Sequence, residues 1–155
     1  MEKTTQRRKF IQSAIATIGT LLFGNTLRAE WDENAYNKTE IVDSIRSIGI
    51  GDLSNIVDGS NLIDLNIPEI AENGAIVPVE IHSKIPDTRR IFLFAEKNPQ
   101  PLVADVVFSK YTEPFFASRV KMGETAFVHV IALADNKFYR TAREVKVTIG
   151  GCGED

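Results

Sequence analysis

The residue best equipped for chemistry is a thiol set among glycines. Cys152, the one cysteine of the 155 residues, stands in Gly150-Gly151-Cys152-Gly153-Glu154-Asp155. A single cysteine cannot close a disulfide within its own chain, so this thiol is buried filler, a link to a second molecule, or a reactive group. A segment carrying Gly150, Gly151 and Gly153 has little apolar surface with which to cover a sulfur. Glycine gives the backbone freedom and leaves room for another molecule to come close. The pattern predicts a reactive thiol on a flexible arm over residues 150–155. Glu154 and Asp155 put negative charge beside it, which disfavours the thiolate until a positive partner surface offsets them.

A second pair with a chemical address lies at the other end. Arg7 and Arg8 precede Phe10, an apolar run extends from Ile11 to Phe23, and Leu27-Arg28-Ala29 leads into an acidic segment. A charged start, a short apolar stretch and a small residue before the break form an export signal rather than a lasting membrane span. The paired arginines resemble the bacterial twin-arginine signal, with Gln6 and Gln12 where Ser/Thr and Lys are usual and Ile11 in place of Leu. Residues 1–29 are therefore expected to be removed and the mature chain to reside in the periplasm. No cysteine follows the predicted cut, so no lipid anchor is expected. Removal takes five of 18 basic residues and one of 21 acidic ones, moving the formal net charge from −3 to −7. Such a surface gives no reason to expect nucleic-acid binding.

These groups need a scaffold, and residues 30–149 suffice for one domain with a real core. Trp31, beside the predicted cut, is a candidate terminal anchor. A short helix follows: Asn37 and Glu40 have capping-box spacing, Ile41, Ile45 and Ile48 share a face, and Gly49 stops the turn. Its expected role is to cover one edge or face of the domain. The apolar period then changes to two. Ile63, Leu65 and Ile67 alternate with Asp64 and Asn66, and Val77, Val79 and Ile81 alternate with Pro78, Glu80 and His82. Further strands are predicted over 90–95, 102–108, 115–121, 125–133, 138–140 and 142–149, with turns at Asn73-Gly74, Asn98-Pro99, Gly123 and Asp135-Asn136-Lys137. Strands without intervening helices predict an all-β, two-layer antiparallel sandwich with a short N-terminal helix; a barrel is the alternative closure.

The remaining polar residues offer little catalysis. His82 and His129 lie in separate strands with no Cys/His cluster, so they are read as surface or paired sheet histidines and no metal site is assigned. Arg89-Arg90 and Arg119-Val120-Lys121 are short basic features that suit solvated strand positions as well as an anion. No Gly-x-Ser-x-Gly elbow, phosphate loop, dinucleotide fingerprint or zinc-protease helix occurs, and no catalytic residue or cofactor is assigned.

The tail Lys146-Val147-Thr148-Ile149-Gly150-Gly151-Cys152-Gly153 resembles the ending of the SoxY family, the sulfur carriers of bacterial periplasmic sulfur oxidation. The segments Pro68 to Val79, Glu96-Lys97-Asn98-Pro99-Gln100-Pro101 and Arg119-Val120-Lys121-Met122 resemble the same family, so the likeness runs from about Ile41 through Cys152. The family ending is Gly-Gly-Cys-Gly-Gly; here Glu154 replaces the last glycine and Asp155 follows. The resemblance implies an immunoglobulin-like sandwich stably paired with SoxZ. It also implies that Cys152 carries thiosulfate-derived sulfur between the heme protein pair SoxXA, the hydrolase SoxB and, where present, the sulfane dehydrogenase SoxCD as transient partners. On that reading the chain is a carrier subunit and not an enzyme, and its only bound groups are covalent sulfur intermediates. A different class of function is a periplasmic structural or adhesion module crosslinked through the terminal cysteine, since a sandwich fold serves many roles. A third, a small oxidoreductase, has neither a resolving cysteine nor a clear acid-base group.

Overall fold

The alternating segments of the sequence become strands of two sheets, and one central strand is apolar on both of its faces. In a computed structural model, residues 33–50 and 53–149 are described. The arginine pair Arg7-Arg8, the predicted signal, Trp31 and the segment Gly150 to Asp155 with Cys152 lie outside that range. In order, the elements are α1 (Glu33–Tyr36), α2 (Ile41–Ser47), a 3-10 turn (Leu53–Asn55), β1 (Val57–Asp58), β2 (Ile63–Asn66), β3 (Ile70–Ala71), β4 (Val77–Ser83), β5 (Thr88–Ala95), β6 (Leu102–Val107), β7 (Phe115–Val120), β8 (Ala126–Ala134) and β9 (Lys137–Val147).

The larger sheet runs β1-β9-β8-β5-β6, with β3 sharing the free edge of β9, and the smaller runs β2-β4-β7. Every pairing among the long strands is antiparallel. The two-residue strands β1 and β3 are the exceptions, joining β9 in parallel at Val57↔Tyr139 and Ile70↔Lys146. Gly59 lets the first of these form. Its N–H donates to the Arg140 carbonyl at 2.8 Å, and a Cβ there would sit 3.2 Å from the Arg140 nitrogen and 3.0 Å from Ile63 Cδ1.

Between the sheets, Ile63, Leu65, Val77, Val79 and Ile81 meet Ile91, Leu93, Val128, Val130 and Val145. This is the expected sandwich core. The outer face of the larger sheet carries a second apolar cluster, in which Phe92, Phe94 and Ile131 pack with Ala35, Ile45 and Ile50. Strand β5 is therefore buried on both sides, which is why Ile91 to Ala95 is continuously apolar rather than alternating. The helical segment covers a sheet face as expected. Ser44 Oγ, fully buried, donates to the Ala35 carbonyl at 2.6 Å and ties α2 to α1.

Two local expectations are corrected, and two short strands are added. The Asn37–Glu40 pair makes no capping box: Glu40 is itself the N-cap of α2 and makes no side-chain cap bond. Asn37 instead donates its N–H to the Glu33 carbonyl, ending the turn before. Gly49, at φ 94°, does stop α2 in the backbone region that favours glycine. The two strands expected over 138–140 and 142–149 are one continuous strand, β9, because Thr141 pairs with Val130 without a break. The last two residues, Thr148 and Ile149, continue past it. The parallel strands β1 and β3 were not anticipated.

Candidate functional site

The described residue nearest the thiol is Ile149, three positions before Cys152, so the site is built from the exit of β9. That strand begins at a two-residue hairpin: Ala134 pairs with Lys137 around Asp135 and Asn136, whose φ values are 47° and 57°. Both sit in the left-handed region that Asn and Asp tolerate and that matches the strand twist. At its far end β9 has no comparable local device, and distant segments hold it. Lys146 donates its N–H to the Glu69 carbonyl at 2.9 Å and Thr148 to that of Ala71 at 3.0 Å. Thr148 Oγ1 donates to the Glu72 carbonyl at 2.9 Å, and Val147 donates its N–H to Thr125 Oγ1 at 3.0 Å.

Gly74 is the junction of this brace. Its N–H donates to the Ile149 carbonyl at 2.8 Å, and its own carbonyl accepts from Met122 at 2.7 Å. Asn73 shapes the turn by accepting the Ala75 N–H on Oδ1 at 2.8 Å. From another direction Asn98 Nδ2 donates to the Lys121 carbonyl at 2.7 Å, and Asn98 Oδ1 accepts from Gly123 at 3.3 Å. The segments around Asn73, Asn98 and Met122, separated in sequence, thus converge on the end of β9. Sequence reasoning treated Asn73-Gly74 and Asn98-Pro99 as ordinary turns and missed their role. The signal that could have found it is that these turns fall inside the segments sharing the family likeness of the tail.

The backbone is therefore held from both sides as far as Val147 and from the Gly74 side through Ile149. Three residues of fully extended chain reach at most about 11 Å, so Cys152 Cα stands within that distance of Ile149 Cα. Around the exit, Ile149, Ile70 and Ile76 expose 68%, 59% and 58% of their surface. On the β8 side an open cleft of about 640 Å³ is lined by Glu96, Glu124, Thr125, Phe127, Glu144 and Val147, with Lys97 among them.

The other candidates lie apart from this exit or are already engaged. His82 Nε2 is 3.2 Å from Glu113 Oε1 at the partly exposed end of β4. His129 is buried on the outer face of the larger sheet, where Nδ1 accepts from Arg140 Nη2 at 2.8 Å. That bond places the neutral ring's proton on Nε2, which faces Glu96 Oε2 at 3.7 Å, beyond hydrogen-bond length. Burial, then the Arg140 guanidinium, lower the His129 pKa to about 4, against an opposing pull from Glu96. Both histidines are thus paired sheet residues, as the sequence suggests. Arg90 is engaged by Asp105, with Nε donating to Oδ1 at 2.6 Å, and its guanidinium lies 4.8 Å from the centre of the Phe92 ring. Arg119 and Lys121 are exposed. Among the described residues no three His, Cys, Asp or Glu side chains form a group suited to a metal ion, and no helix is long and apolar enough to cross a membrane.

The family model for the sulfur oxidation protein SoxY matches residues 50–152. Among solved structures, the fold is similar to that of the sulfur carrier protein SoxY from Chlorobium limicola f thiosulfatophilum. The two are 37% identical, the match covers 70% of this chain and 96% of that one, and the TM-score is 0.60. A superoxide reductase (neelaredoxin) from Ignicoccus hospitalis shares the fold alone, at 18% identity and a TM-score of 0.50, over 66% of this chain and 86% of that one. No curated protein matched the sequence.

Proposed function

The chain belongs to the SoxY family of sulfur oxidation proteins, and from that premise we propose that Cys152 is the covalent attachment point of a carrier for thiosulfate-derived sulfur. The part of this family in sulfur oxidation is that of a carrier rather than a catalyst. The observation that carries the finer reading is the braced exit of β9, which ends at Ile149 with Gly150-Gly151-Cys152 immediately beyond it. A thiol within about 11 Å of a fixed point can be presented to one enzyme after another while the sandwich stays folded.

The chemistry suits a cysteine. Its thiol joins the outer sulfur of thiosulfate to give Cys-S-S-sulfonate, releasing one proton and two electrons, which SoxXA would accept. Water, activated on SoxB, then releases sulfate and leaves a persulfide on Cys152; SoxCD, where present, oxidises that sulfane before a further hydrolysis restores the thiol. A serine hydroxyl forms no S–S bond and cannot hold these intermediates. The redox metal and the hydrolytic machinery belong to the partners, and this chain supplies only the attachment point, with SoxZ as its stable partner. Arg7 and Arg8 address the precursor to the periplasm by the twin-arginine route, and residues 1–29 are removed there.

Reconstitution with SoxZ and the partner enzymes tests the attachment step. Cys152→Ser should fold normally and bind SoxZ while thiosulfate consumption stops; turnover by the folded variant would overturn the reading. Replacing Arg7 and Arg8 with lysine should leave the precursor inside the cell, and undiminished periplasmic product would refute the route.

A further inference from the structure

We propose that Asn73 is a deamidation site guarded by the strand exit: the hydrogen bond from the Gly74 N–H to the Ile149 carbonyl holds back closure of the Gly74 nitrogen on the Asn73 side chain. The reaction uses no reagent beyond water, and the inference stands apart from the carrier reading.

Asparagine is among the chemically labile residues, and at Asn73 alone in this chain is it followed by glycine. With no Cβ on the second residue, nothing obstructs attack by its nitrogen. The Gly74 nitrogen bonds to Asn73 Cγ, its proton passes through water to the side-chain nitrogen, and that nitrogen leaves as ammonia. Water then opens the cyclic imide at one carbonyl to give aspartate or at the other to give isoaspartate. In isoaspartate the main chain runs through the former side chain and is longer by one carbon. Water is consumed and ammonia released, with no change of oxidation state.

The turn exposes the electrophile and restrains the nucleophile. Asn73 is open to water, and its Oδ1 accepts the Ala75 N–H at 2.8 Å, which draws electron density from Cγ. Gly74 is buried, and its N–H is committed to the Ile149 carbonyl at 2.8 Å, which fixes the peptide plane. That guard sits where fraying begins, because Ile149 is 68% exposed and precedes the glycine arm. Behind it Thr148 is bonded to the carbonyls of Ala71 and Glu72.

Asp58-Gly59 has the same arrangement and serves as an internal control. Asp58 Oδ1 accepts the Ser60 N–H at 3.0 Å, and the Gly59 N–H is held by the Arg140 carbonyl at 2.8 Å. An ionised carboxylate is a poor electrophile, and Arg140 lies within β9 rather than at its fraying end, so this second site stays closed. The Asn73 reaction also has a structural consequence. The added main-chain carbon shifts Gly74 against both Ile149 and Met122, so an exit that has opened and reacted does not close again.

The test incubates the full mature chain in neutral buffer and follows residue 73 by peptide mapping that separates asparagine, aspartate and isoaspartate. Asn73 should convert before any other asparagine, with isoaspartate among the products, at least about tenfold more slowly than in the chain unfolded in urea. Thr148→Val removes the bond to the Glu72 carbonyl at an exposed position; it should speed conversion about fivefold in the folded chain and leave the rate in urea unchanged. Asp58 should remain unconverted in that variant, which separates opening of the exit from a general loss of stability. Asn73→Ser, whose hydroxyl keeps the turn without an amide to lose, should give no product there. In the converted chain the amides of Val147 and Thr148 should exchange faster while those of the hairpin do not change. Equal rates in folded and unfolded chains, a Thr148→Val rate equal to that of wild type, or earlier conversion at Asn136 or Asp58 would each overturn the guard.

Discussion

The two ends of β9 are built by opposite means. At Lys137 the strand starts from a hairpin made by its immediate neighbours, with Asp135 and Asn136 both at positive φ. At Ile149 it is gripped by Glu69, Ala71, Glu72, Gly74 and Thr125, all more than 20 residues away in sequence. The first arrangement reverses the chain cheaply; the second fixes a point from which a short segment can be presented. The difference teaches that precision at the exit depends on the folded sandwich as a whole, whereas the hairpin depends mainly on local conformation.

The sharpest way to break the comparison is to remove core volume beneath the brace. Met122 is fully buried and its N–H is bonded to Gly74. Met122→Ala should cost about 3 kcal/mol in denaturant unfolding, the usual scale for such a truncation. Hydrogen exchange should show the amides of Gly74, Val147 and Thr148 losing protection before the hairpin does; equal loss at both ends would mean the exit has no separate dependence.

Acid gives the next effect. A histidine whose folded pKa is about 4, against 6.5 unfolded, contributes stability that is complete above pH 6.5 and is lost as pH falls toward 4. The loss amounts to about 3 kcal/mol at most. Arg140, which lies near the hairpin end of β9, supplies part of it, so acid should loosen that half of the strand first. His129→Gln should flatten the stability profile between pH 6.5 and 4 relative to wild type; an unchanged slope would count against the buried neutral ring.

Smaller changes refine the contrast. Thr125→Val keeps the shape but removes the acceptor of the Val147 N–H, at a cost of about 1 kcal/mol. Faster amide exchange should be confined to the exit end, and a uniform change along β9 would contradict the account. At the hairpin, Asn136→Ala should cost roughly 0.5 kcal/mol because alanine tolerates positive φ less well, while Asn136→Gly should be neutral or slightly stabilising.

The same contrast explains what could be seen in the sequence. Ile63-Asp64-Leu65-Asn66 and Val77 to Ile81 announce their faces by alternation, and the Asp135-Asn136 turn is a short-range signal. Those features carry the sandwich. Strand β9 was divided at Thr141 because Arg140 to Glu144 lacks an apolar period; its continuity comes from hydrogen bonds to β8, which leave no mark on its own residues. Strands β1 and β3 are two residues long, too short for any period to show. The Asn37–Glu40 spacing matched a capping box, yet the turn closed by Glu33 claimed Asn37 first. At the site, the thiol and its glycines were legible by composition. The brace was not, since no local rule connects Gly74 with both Ile149 and Met122.

The most direct test of the central claim is the intact mass of the mature chain, bound to SoxZ, after incubation with thiosulfate and the conjugating and hydrolysing enzymes in turn, followed by peptide mapping. The account predicts a thiosulfate-derived adduct confined to the peptide containing Cys152, replaced by a persulfide once the hydrolase is added. Adducts carried elsewhere, or a disulfide-linked homodimer as the only modified form, would contradict it.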